Sequence, residues 1–107
     1  MNNSFGISEQ SFNELINGLK QYPEIEQARI FGSRAMNTYK KGSDIDIALF
    51  GARLKQATID KLAIYIDEET IIPYYIDFIN YNTLDNDELI KHIDEKGVVF
   101  YEKTKVK

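Results

Sequence analysis

The sequence predicts a small α+β domain in which a mixed β-sheet carries helices on one face. Three observations lead there. Apolar residues recur at helical spacing in three segments and cluster at strand length in four others, in the order α-β-β-α-β-α-β. The chain has 107 residues, enough for one hydrophobic core and no second, so residues 1–107 are expected to form a single domain. Two aspartates, Asp44 and Asp46, interrupt an otherwise apolar strand, which gives the sheet one face unlike the other.

Ser8 to Lys20 reads as a helix, because Phe12, Leu15, Ile16 and Leu19 fall at i, i+3, i+4 and i+7. Ser11 and Glu14 have the spacing of a capping box, and Pro23 bars continuation. Ala28 to Phe31 follows as a short strand ending at Gly32. Ile45 to Phe50 is the second strand, stopped at Gly51. Leu54 to Glu68 predicts a second helix with Ile59, Leu62, Ala63 and Ile66 on one face. Tyr74 to Asn80, rich in β-branched and aromatic residues, predicts a third strand. Thr83 or Asp85 can cap a helix reaching Lys96, with Gly97 as its stop. Residues 98–103 read as a last short strand before a lysine-rich tail that includes Lys103, Lys105 and Lys107.

Thirteen basic residues against seventeen acidic ones give a net charge of −4. That balance argues against a surface built to neutralise a long phosphate backbone, while leaving a local basic patch around Arg34, Lys40 and Lys41. The absence of cysteine excludes disulfides, a thiolate nucleophile and a cysteine zinc site. One histidine, His92, cannot build a histidine metal cluster. On the last helix, near its C-terminal end, it reads as a surface or dipole-compensating residue. The first ten residues lack the charged and apolar regions of a signal peptide, and no run approaches the roughly 18 apolar residues of a membrane span. A cytoplasmic location is therefore expected.

Strand alternation makes the acids informative. On the second strand Ile45, Ile47 and Leu49 share one face, and Asp44, Asp46, Ala48 and Phe50 share the other. On the third strand Asp77 points away from Ile76 and Phe78. If these strands are neighbours, Asp44, Asp46 and Asp77 gather on the face opposite the helices. Carboxylates so placed repel and raise one another's pKa unless a cation lies between them. Oxygen ligands suit magnesium or manganese. The bland reading is that Asp44 caps a turn while Asp46 and Asp77 face water. Gly32-Ser33 directly after a strand is by itself a turn. With a short helix wound from residues 33–37, its N–H groups and the Ser33 hydroxyl could instead hold phosphate. A phosphate grip facing a carboxylate site is what metal-assisted transfer from a nucleoside triphosphate requires.

Gly32-Ser33-Arg34-Ala35, followed by Ser43-Asp44-Ile45-Asp46 and a later Asp77, resembles the signature of the DNA polymerase beta-type nucleotidyltransferase superfamily. It is most similar to the minimal nucleotidyltransferases, and the likeness extends into the last helix and strand. Where relatives often carry glycine after Gly-Ser-Arg-Ala, Met36-Asn37 stands here. The resemblance implies a polymerase beta-like core and two magnesium ions, with manganese as a substitute. These are held by Asp44, Asp46 and Asp77, with Asp77 also serving as general base. It implies β,γ-phosphates held by Gly32 and Ser33 with help from Arg34. The implied reaction moves a nucleoside monophosphate from an NTP, expected to be ATP, to a hydroxyl. The implied acceptor lies on a HEPN-domain partner, with the chain as the antitoxin of a toxin–antitoxin pair. Two other readings stay open: an antitoxin that neutralises by binding alone, and a transferase acting on a small molecule such as an aminoglycoside.

Tyr74, Tyr75 and Tyr81 could stack a base or belong to the core, and Tyr39 could be a loop contact or itself a nucleotidylation acceptor. The edge of so small a sheet, with the apolar residues of 65–75, leads us to expect self-association or association with a partner.

Overall fold

The computed structural model describes residues 5–40 and 42–103. Lys41 of the basic spacer, and Lys105 and Lys107 of the tail, lie outside the described residues. The elements are α1 (Glu9–Lys20), β1 (Gln27–Phe31), β2 (Ile45–Phe50), α2 (Gln56–Glu69), β3 (Ile76–Asn80), a 3-10 turn (Tyr81–Thr83), α3 (Asp87–Lys96) and β4 (Val98–Glu102). They build an α+β fold around a four-stranded mixed sheet of order β3-β2-β1-β4. β1 pairs antiparallel with β2 and with β4, while the α2 crossover makes β3 parallel to β2.

α1 starts one turn earlier than its capping-box spacing predicts. Ser8, not Ser11, is the N-cap, and its hydroxyl accepts the Ser11 N–H at 3.1 Å. Ile7 just before the cap and Phe12 five residues later belong to the same apolar cluster, the spacing of a hydrophobic staple. That contact sets where the chain enters the helix, and it leaves Ser11 buried in the first turn. In α2, Ile59, Leu62 and Ile66 are buried as their spacing predicts, whereas Ala63 is exposed.

Alternation along β1 and β2 divides the core. Ala28, Ile30, Ile45, Ile47 and Leu49 are almost fully buried beneath α1 and α2, with Leu15, Leu19 and Leu62. Each such aliphatic side chain contributes roughly 1.5–3 kcal/mol by leaving water. The prediction of helices on one face holds for α1 and α2. α3 corrects it, for Ile93 is fully buried against Phe31 and Ala48 on the other face, with Phe50, Ile79, Leu84 and Leu89 around it. The 3-10 turn lies between β3 and this helix. Asn80 at the end of β3 accepts the Asn82 N–H, and the helix is capped only at Asn86, later than Thr83 or Asp85. Ala48, with the smallest side chain on that face of β2, gives α3 room to approach.

Candidate active site

Two strand ends and one loop assemble the site. β2 and β3 run parallel with Asp46 directly opposite Asp77, so both carboxylates leave the same face at the same level. Phe31, the last residue of β1, is the antiparallel partner of Asp46. The Gly32-Ser33 turn therefore begins beside the acids. Gly32 has φ +75°, and a methyl group placed on it would stand 2.6 Å from Asp46 Oδ2. Only a residue without Cβ lets the backbone turn left-handed this close to the carboxylate.

Residues 32–37 form a hydrogen-bonded turn and not the short helix expected over 33–37. The Met36 N–H reaches the Gly32 carbonyl at 3.1 Å, the Thr38 N–H reaches the Ser33 carbonyl at 2.9 Å, and Asn37 at φ +60° ends the turn. Asp44 is exposed and lies just before β2. Its neighbour Ser43 is fixed twice, by a tight turn with Lys40 and by Arg34.

Arg34, expected to help hold phosphate, is turned inward. Its side chain is only 2% exposed. Nε and Nη2 donate to the Ser43 carbonyl, and Nη1 donates to the carbonyls of Phe5 and Gly6. The guanidinium lies 5.0 Å from the Tyr39 ring centroid and 4.8 Å from that of Tyr74. A planar cation with five donors is suited to such a clasp. Arg34 holds the loop that presents Asp44.

His92 is the residue that sequence reasoning misplaced. Its Nε2 accepts the Gly32 N–H at 3.0 Å across sixty residues of chain, and its ring stands edge-on to Phe31. The missed signal was helical spacing. Leu89, His92 and Ile93 fall at i, i+3 and i+4, which places the histidine on the packed side of α3.

The electrostatics record how close the acids are. Partial burial pushes the Asp46 carboxyl above its ordinary value. The charges of Asp77 and then Asp44 push it further, and His92 opposes them. Three carboxylates that repel one another are a donor set of the right chemistry for a hard divalent cation. Among the described residues, no three acidic or histidine side chains already converge in metal-holding geometry. A bound cation would have to draw these neighbours together.

The model of the polymerase beta nucleotidyltransferase family matches residues 13–106. The chain belongs to that family. Solved structures agree on the fold. A toxin–antitoxin complex with AMP-PNP superposes with a TM-score of 0.68 at 20% identity, over 91% of this chain and 75% of that one. The complex of an AMPylated HEPN toxin with its MNT antitoxin, from Shewanella oneidensis, gives 0.63 at 20% identity, over 87% and 71%. The MntA–HepT toxin–antitoxin complex gives 0.65 at 19% identity, over 90% and 74%. No curated protein sequence matches the chain.

Against this nucleotidyltransferase fold the aromatic candidates take definite places. Tyr81 stacks on Phe50 at 4.3 Å and donates its hydroxyl to Asp94, and Tyr74 packs on the main core and on Arg34. Tyr39 is half-buried beneath the same guanidinium. Tyr75 alone of the three base-stacking candidates is largely exposed, at 68%. No helix among the described residues is long and apolar enough to cross a membrane.

Proposed function

We propose that the chain transfers a nucleoside monophosphate, expected to be AMP, from a nucleoside triphosphate to a hydroxyl of a HEPN-type partner protein. The observation that carries this reading is the parallel register that sets Asp46 beside Asp77, with the backbone at Gly32 too near the Asp46 carboxylate to admit a Cβ. A triphosphate held at the turn has its α-phosphorus near the acids. The acceptor hydroxyl attacks that phosphorus in line, a new P–O bond forms, and the bond to the bridging oxygen breaks to release pyrophosphate. Asp77, exposed on the edge strand, is placed to take the hydroxyl proton. Asp44, Asp46 and Asp77 would hold one or two magnesium ions, which neutralise triphosphate charge and acidify the hydroxyl when bound. The partner assignment is supported by the solved neighbours, which are complexes of a nucleotidyltransferase-fold antitoxin with a toxin.

Incubation with labelled ATP, GTP, CTP or UTP, magnesium and the HEPN-type protein encoded beside this chain tests the proposal. Label should appear on the partner, and Asp77→Asn should lower the rate by about 10²–10⁴. Neutralisation of the partner by an Asp44→Asn/Asp46→Asn variant that transfers no label would replace catalysis with binding as the function. Label found only on a small compound would move the acceptor there.

A further inference from the structure

We infer that His92 is a positioning residue for nucleotide binding: it holds the Gly32 N–H as a structural donor, so that triphosphate oxygens fall to the Ser33 hydroxyl and the Ser33 N–H. The inference rests on the transferase reading above and assigns the donors within that site differently from the family resemblance, which gave Gly32 a phosphate. The Gly32 N–H points to α3, 3.0 Å from His92 Nε2. An N–H can be given to only one strong acceptor at a time, and here that acceptor is an imidazole lone pair.

The imidazole is not free to leave cheaply. Its neighbour Ile93 is fully buried against Phe31 and Ala48, and the ring lies 6.0 Å edge-on to Phe31. Gly32 is equally constrained, since its left-handed backbone lies against the Asp46 carboxylate. The hydrogen bond thus ties α3 to the junction of β1 and the turn, where an error of an ångström would shift both phosphate and metal ligands. A neutral imidazole accepting through Nε2 carries its proton on Nδ1.

Nuclear magnetic resonance reads this bond directly, because an N–H···N bond transmits a 15N–15N coupling. In the labelled full chain at about pH 8, where an ordinary imidazole is neutral, a coupling between Gly32 N and His92 Nε2 is expected. It should persist when magnesium–ATP is added without partner. His92→Phe should weaken ATP binding about three- to tenfold, the effect of one hydrogen bond. His92→Gln, whose amide oxygen reaches about as far as Nε2, should restore most of it. Loss of the coupling on ATP binding, with the amide passing to phosphate, overturns the inference. So does wild-type ATP affinity in His92→Phe, or equal weakening in both variants. Wild-type protein that binds no ATP at all refutes the transferase reading instead, with the apo coupling still visible.

Discussion

Asp46 carries the conflict of the site in one side chain. Its strand neighbours are packed in the core, while its carboxylate faces Asp77 and Asp44 and leaves no room for a Cβ at Gly32. A carboxyl whose folded-state pKa is raised binds more protons folded than unfolded. Its contribution to stability is present below the ordinary value of 3.8 and is lost as pH rises through the folded value. At neutral pH the ionised Asp46 therefore works against the fold. Asp46→Asn removes that repulsion, so in metal-free buffer it should melt above wild type near pH 7. The gain should vanish as pH falls towards the ordinary carboxylate range, while transfer activity is lost throughout. Melting curves taken across that pH range check the sign. A variant less stable than wild type at pH 7 would mean that the acids do not repel as placed.

Two elements hold the site from opposite sides of the sheet. The loop joining β1 to β2 is fastened by Arg34, whose donors satisfy carbonyls at Phe5, Gly6 and Ser43. Arg34→Lys keeps the charge but loses the planar fork, and should cost about 2–3 kcal/mol in urea denaturation. Magnesium should also raise the melting temperature of this variant less than that of wild type, because Asp44 follows the carbonyl that Arg34 holds. A phosphate-binding arginine would lose nucleotide affinity with little change in stability, which is the contrary result. On the other side α3 is seated by Ile93. Ile93→Ala should destabilise by about 2–5 kcal/mol. It should also weaken the contact between His92 and Gly32, seen as faster hydrogen exchange at the Gly32 amide.

The whole molecule shows a surface that its own core does not use. Ile71 and Tyr75 before β3 are 72% and 68% exposed, next in the chain to an edge strand and to a groove lined by Ile66, Ile72, Tyr75 and Phe78. This is the region of residues 65–75 where the sequence predicts association. Under the proposed function, the occupant of this surface is the HEPN-type partner. Ile71→Asp together with Tyr75→Asp should weaken partner binding at least about tenfold in calorimetry. The isolated chain should stay within about 0.5 kcal/mol of wild type in stability. Undiminished binding would place the interface elsewhere.

Sequence alone determined the periodic elements and the chemistry of three of them. The apolar stripe of α1, the alternation of β2 and the Gly-Ser and Asp-x-Asp spacings are local patterns, because helix and strand periods dictate which neighbours share a face. From them came the α+β class, the shared face of the acids should β2 and β3 be neighbours, and the family. The tertiary structure decided what depends on partners distant in the chain. Arg34 clasps the loop before β2 because carbonyls from the N-terminal segment and from Ser43 surround it. α3 lies on the site face because Ala48 leaves room for Ile93 there. His92 sits behind the Gly-Ser turn as a result, since a single histidine has no spacing to announce which of two sheet faces its helix will cover.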